Sequence, residues 1–362
     1  MNSGRLTPIL RLTPILPDLV PISLTVGLST GWGEEHWRWW KHGASMTEQL
    51  SLFGDENTLF NLGIQRLLEM DFGGCLETLE RYRKLFPWGQ NVRQETAMAE
   101  FWLTKLRGVT WTEINPVEAE RRYRFWLEFE EAFGFPWPEE SIERQFQVRY
   151  FGRLTDWLAT SPKQTPRLPD GTPFGLIPLL AGRPDPAIAL LQACIASEPE
   201  DARAYGYLGD AYAARGDLRT ARICYREAFV LEPKAVDVKR LHDPGLREML
   251  SEAGEDDDGE PPAIEWLPVR AQLSGIFERR VLRNMDEVRQ WLQRYLGLQK
   301  EDRRGADEAL VARLFYHAMV LSDNASMLRF IKHVDLAEVR RMMKGWNPAL
   351  FARHMRAVER RT

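Results

Sequence analysis

Residues 202–235 read ARAYGYLGDAYAARGDLRTARICYREAFVLEPKA, and the reading of this stretch decides the fold. Small Gly209 and Ala221 sit where two antiparallel helices must approach closely, while Leu208, Tyr212, Tyr225 and Ala228 fill the seam between them. Gly216-Asp217 supplies the turn. Pro233 cannot continue a helix, so it ends the second one. A hairpin of this size cannot bury its apolar face alone, and further copies are expected beside it.

Tyr205, Leu208, Gly209, Tyr212, Ala221, Tyr225 and Pro233 fall at the spacing of the tetratricopeptide pattern, and the segment resembles that repeat. One repeat length of about 34 residues upstream, Gly175, Gly182, Ala187, Leu191 and Pro199 lie under Gly209, Gly216, Ala221, Tyr225 and Pro233. Pro178 interrupts the first helix of that copy, so FGLIPLLAG reads as a kinked or abbreviated cap. A third copy is read at 56–89, where Leu59, Leu62, Gly63, Cys75, Leu79 and Pro87 take the corresponding places. It departs from the pattern with Leu59 for the first aromatic residue, Arg66 for the second and Met70 for the turn glycine. The separation of Gly63 from Gly175 is not a multiple of the repeat, so the hairpins between them are expected to be irregular.

In that interval Tyr123, Trp126, Phe129 and Phe133 share one helical stripe behind Pro116, and Ile142, Phe146, Tyr150 and Trp157 share another. These read as one more helix pair. The Pro-rich, polar run at 160–173 is a loop, and the acidic run Glu255 to Pro262 places a linker at 251–262. Residues 46–160 are then N-terminal hairpins, 174–250 a repeat pair, and 263–362 a C-terminal helical region. In the last, helical patterns recur at about 264–280, 285–298, 306–322, 325–333, 335–344 and 347–360. No strand alternation occurs after residue 45. The expected class is all-α, a tetratricopeptide-like solenoid of antiparallel hairpins with a C-terminal helical region.

Residues 1–45 stand apart. RLTPIL occurs twice in succession at 5–10 and 11–16, and the apolar run that follows is broken by Pro17, Asp18 and Pro21, too short for a membrane span. The expectation is a poorly ordered extension, or sequence upstream of a start at Met46. Four of the 13 tryptophans lie here, and the others, Trp126 and Trp157 among them, are read as packing.

Composition narrows the function. With 48 Lys and Arg against 52 Asp and Glu, the net charge of -4 gives no global field to hold nucleic acid or acidic lipid, so neither direct nucleic-acid binding nor a membrane partner is expected. Three cysteines are odd in number and too few for a disulfide framework, which points to a reducing, cytoplasmic setting. His36, His42, His242, His317, His333 and His354 show no metal-ligand spacing, and neither metal nor cofactor is expected. Cys75, Cys194 and Cys224 read as small buried apolar residues. Glycines at 27–33 lack the following lysine of a phosphate loop, and the pairs Glu130-Glu131 and Glu139-Glu140 read as solvated helix faces. No catalytic constellation emerges.

The expected function is a non-catalytic scaffold for a protein or peptide ligand. Stacked repeats line a groove with their first helices, which here places Arg203, Gly206, Asp210, Ala213 and Ala214 on that face. The lysines and asparagines with which related arrays hold carboxylate tails are missing, so a chaperone-tail clamp is not supported. Small, nearly neutral residues fit either a shallow apolar groove or one filled by the protein's own flanking helices. A second expectation rests on Gln49-Leu50-Ser51-Leu52-Phe53, which resembles the pentapeptide that docks bacterial replication and repair proteins on the DNA sliding clamp. The resemblance makes Gln49 the polar anchor and Leu52 and Phe53 the buried ones. The plainer alternative is that Leu50, Leu52 and Phe53 staple a first helix capped by Asp55 or Asn57. Arg340, Arg341, Lys344, Arg353, Arg356, Arg360 and Arg361 form a basic end, open to phosphate contact or a solvated last helix favoured by its dipole.

Overall fold

The computed structural model describes residues 46–109, 111, 115–160, 167–252, 264–302, 307–331 and 335–360, with only the helical backbone at 46–53, 158–160, 252 and 302. Two compact units divide the chain, Met1–Asp55 and Glu56–Thr362. Among the described residues the secondary structure is helical throughout, apart from an isolated bridge between Arg167 and Pro173. The first helix, α1 (Met46–Leu68), already runs through Asp55 and Asn57, so neither residue caps its entry. The helix begins earlier because MTEQLSLF carries no breaker.

Three hairpins share one local design: α1 with α2 (Phe72–Leu85), α6 (Leu176–Leu180) with α7 (Pro184–Ser197), and α8 (Ala202–Ala214) with α9 (Leu218–Leu231). At each turn one residue takes the left-handed conformation: Met70 (φ 65°), Gly182 (69°) and Gly216 (87°). The next N–H then reaches back five residues, from Asp71 to the Arg66 carbonyl, Arg183 to Pro178 and Asp217 to Tyr212, each at 2.9 Å. Asp71 and Asp217 go on to cap the second helix, accepting from Gly74 N–H (3.0 Å) and Thr220 N–H (3.1 Å). In each pair a helical glycine marks the crossing. A β-carbon on Gly63 would stand 2.7 Å from Leu79 Cδ2, and one on Gly209 2.6 Å from the Tyr225 ring. One on Gly175 would meet Leu191 and, at 2.9 Å, the Ala187 carbonyl oxygen. The three pairs thus repeat a glycine packed on the residue sixteen positions later.

Between the first and second of these hairpins lie three helices rather than two: α3 (Arg93–Lys105), α4 (Pro116–Phe133) and α5 (Ile142–Thr160). Asn115 caps α4 on Glu118 N–H (3.0 Å), and Gly134 (φ 72°) ends it. Their shared core is aromatic. Trp102 of α3 stacks on Trp126 of α4 (5.9 Å between centroids), and both pack on Tyr150 of α5, at 4.8 and 5.5 Å. Tyr150 satisfies its buried hydroxyl on the Arg122 carbonyl (3.0 Å).

Helix α9 joins this body to the rest. Cys224 packs in the N-terminal core, Ala221, Tyr225, Ala228 and Phe229 in a second cluster with Leu246 and Phe277, and Val230 in a third. Beyond it come α10 (Pro244–Glu252), α11 (Leu267–Ser274), α12 (Met285–Asp302), α13 (Glu308–Asp323), α14 (Ala325–Leu328), α15 (Leu336–Trp346) and α16 (Pro348–Glu359). The pattern at 264–280 breaks at Gly275 (φ 85°), and of the pattern at 325–333, whose last two residues lie outside the described ones, α14 is helical. Helix α13 is buried on every side from Leu314 to Ser322, with α12 packed through Val288, Trp291, Tyr295 and Leu298. Asn324 at its end pins the irregular segment 280–282, accepting from Leu282 N–H (2.9 Å) and donating to the Arg280 carbonyl (2.9 Å).

Candidate functional site

The inner face of α8 is where a repeat array would present its groove. Asp201 starts the helix by accepting from Ala204 N–H (3.0 Å), and Arg167 holds that aspartate together with Glu198. Of the five groove positions, Arg203 and Ala214 are exposed, Ala213 is half-buried, and Gly206 and Asp210 are buried. They do not form one open surface. A β-carbon on Gly206 would lie 3.5 Å from Val236, and Asp210 accepts from the Tyr225 hydroxyl (2.6 Å) and the His242 backbone N–H (3.0 Å). Burial pushes the Asp210 carboxyl upward, and the bonds from His242 and Tyr225 pull against that shift.

The covering residues belong to the link between α9 and α10. Pro233 stops α9, and the chain crosses the face of α8 in two single turns, Pro233–Ala235 and Val238–Arg240. Val236 and Leu241 are 7% and 3% exposed, so the link is packed core rather than a loose strap. Asp243, fully buried, ends the link by pairing with Arg222 (2.7 Å) and capping α10 on Leu246 N–H (3.0 Å). Arg240 locks it to the N-terminal hairpins through Glu130 of α4, which also accepts the Trp126 indole N–H. Asp237 holds the Arg240 Nε at 2.9 Å, and the guanidinium lies 4.6 Å from the centre of the Phe135 ring. Glu130 is therefore not on a solvated face. It is seven residues from Tyr123 on the apolar stripe, a placement visible in the sequence, but its partner stands 110 positions away.

Beside this link a cleft of about 160 Å³ remains open. Leu179, Leu180 and Leu241 line it with apolar surface, and Phe135 and Trp137 add aromatic surface. Trp137 is fixed by donation from its indole N–H to the Phe133 carbonyl (2.8 Å). Among the described residues four cationic side chains line the same cleft, Arg144, Lys239, Arg240 and Arg247, against the single carboxylate Glu139. Glu139 pairs with Arg144 at 3.3 Å and Arg240 is taken by Glu130, while Lys239 and Arg247 are exposed at the mouth. Apolar and aromatic surface beside exposed cations suits a short segment with one apolar side chain and neighbouring carboxylates.

The other residues singled out from the sequence fall elsewhere. Gln49 to Phe53 lie on the helical backbone of α1, and their side chains are outside the described residues, as are His36, His42, His333 and glycines 27–33. Burial raises the thiols of Cys75 and Cys194 to about 11 and that of Cys224 to about 12, the opposite of an activated nucleophile. His317 is buried against Trp291 (4.5 Å, stacked), which lowers it to about 4. Among the described residues no group of histidine, cysteine and carboxylate side chains is arranged to hold a metal ion, and no helix is long and apolar enough to cross a membrane. Comparison with family models, curated proteins and solved structures finds no match to this chain.

Proposed function

We propose that the chain is a tetratricopeptide-type helical-repeat scaffold that binds another protein and catalyses no reaction, with the cleft beside Lys239 and Arg247 as its docking site. The observation that carries the reading is the threefold recurrence of one turn and one glycine crossing, at Met70, Gly182 and Gly216 and at Gly63, Gly175 and Gly209. Repeats of that kind stack into concave surfaces that hold peptides. Because Val236 and the His242 backbone already occupy the face of α8, the partner contacts the neighbouring cleft instead. A cytoplasmic setting belongs to the same proposal, supported by three cysteines that are all free and buried.

Affinity capture from the native lysate at moderate salt, with the wild type and a Lys239→Glu, Arg247→Glu variant as parallel baits, tests it. A stoichiometric partner recovered by the wild type and lost by the variant supports the reading; identical recoveries, or none, contradict it. The alternative, docking on the bacterial sliding clamp, rests on the pentapeptide Gln49 to Phe53 alone. Fluorescence anisotropy with purified clamp decides it, since equal affinities for the wild type and a Leu52→Ala, Phe53→Ala variant leave the motif without a role.

A further inference from the structure

A second cleft lies in the C-terminal region, away from the docking site, at the junction of α13, α14, α15 and α16. We propose that it binds an organic phosphate, a small molecule with a phosphoryl group and an apolar body. The cleft holds about 550 Å³, and Arg279, Arg329 and Arg340 line it with the hydroxyls of Ser322 and Ser326. Among the described residues the lining contains one carboxylate, Asp323, and its side chain is 3% exposed. Gln272 donates to it at 3.1 Å and Arg279 stands 3.5 Å from its other oxygen, so Asp323 is matched within the protein. Two guanidiniums, Arg329 and Arg340, are left over.

Arg340 is held in place. Its Nε donates to the hydroxyl of Ser322, a residue only 2% exposed, at 3.1 Å, so the side chain is fixed at one arm while the Nη protons stay available. Arg329 is exposed at the rim. Two guanidiniums and serine hydroxyls make a donor set for the several oxygens of a doubly charged phosphoryl group. A lone phosphate leaves most of 550 Å³ unused, and Leu328, Leu336 and Val358 line the remainder. That apolar wall assigns the body of the ligand. Helices α15 and α16 also carry Arg341, Lys344, Arg353 and Arg356, against Glu338 and Glu359. Of the basic end read from the sequence, Arg340 lines this cleft.

Isothermal titration of the full chain with phenyl phosphate tests the assignment, with benzoate, inorganic phosphate and an unphosphorylated single-stranded oligonucleotide in parallel. The expected result is saturable binding of phenyl phosphate, weaker binding of benzoate and of inorganic phosphate, and a loss of about tenfold or more in Arg329→Ala. Arg340→Lys, which keeps the charge but not the fork, is expected to lose affinity with an unchanged far-ultraviolet circular dichroism spectrum. No saturable heat with phenyl phosphate overturns the proposal, as does equal affinity in Arg329→Ala. Benzoate binding as tightly overturns the phosphoryl assignment. An oligonucleotide that binds more tightly and displaces phenyl phosphate overturns the small-molecule assignment in favour of a nucleic-acid surface.

Discussion

Replacing Gly209 by alanine places a methyl group 2.6 Å from the Tyr225 ring, where ordinary contact begins near 3.4 Å, so the ring must retreat by about 0.8 Å. Tyr225 has nowhere to go cheaply, being fully buried and bonded through its hydroxyl to Asp210. Overpacking of this kind costs about 1–3 kcal/mol. Weakening the bond to a buried carboxylate adds about 1–2 kcal/mol, while alanine's better helix propensity returns about 1 kcal/mol. The expected net loss is about 2 kcal/mol, roughly thirtyfold in the folding constant. Gly297 of α12 serves as the control, because it too is helical but has nothing within 4 Å of its vacant β-carbon site. There alanine is expected to stabilise by about 0.5–1 kcal/mol. Urea unfolding followed by far-ultraviolet circular dichroism reads both. A Gly209→Ala protein as stable as the wild type, or shifted in the same direction as Gly297→Ala, refutes the crossing on which the repeat reading stands.

Other expectations follow from buried charge. Arg240→Met strands Glu130 and is expected to cost about 3–5 kcal/mol, whereas the double variant Glu130→Gln, Arg240→Met costs much less than the two single changes summed; unfolding midpoints in a double-mutant cycle measure this. His317 titrates near 4 in the fold against 6.5 when unfolded, held down by burial and by Arg313, Arg294 and Arg280. The native state therefore binds fewer protons, and stability present above pH 6.5 falls as the pH drops toward 4, by about 3 kcal/mol from this group. In His317→Gln that part of the slope is expected to disappear from a pH series of unfolding curves. All three thiols are buried, so a disulfide reagent at pH 8 is expected to react slowly with the native chain and fully after denaturation.

The helices of the three hairpins were legible because their determinants are local. A glycine and a bulky residue sixteen positions apart, a turn and a terminating proline all lie within one hairpin, and Met70 adopts the turn conformation even though glycine is absent. The aromatic stripes of α4 and α5 were legible for the same reason, as three-and-four spacing. Helix α3 was not assigned, since Met98, Ala99 and Trp102 give only a short apolar stripe and its N-terminus has no side-chain cap. The candidate site depended on distant pairs. Asp210 sits at a groove position by spacing, yet what buries it is His242, 32 residues on, and what fixes the link over it is the pairing of Arg240 with Glu130, 110 residues apart. Neither contact has a local signature, so an open groove and a filled one looked alike in the sequence. The basic end posed the same problem, because only Arg340 of it lines the cleft that Arg279 and Arg329 share.

The proposal that a partner binds the neighbouring cleft rather than the α8 face is tested most directly by photo-cross-linking in the native lysate. A photoreactive residue is placed at Lys239 in one protein and at Arg203 in another, both exposed positions. The account predicts a cross-link to one stoichiometric partner from position 239 and none from 203. Capture from 203 and not from 239 contradicts it, and so does the absence of any captured protein at either position.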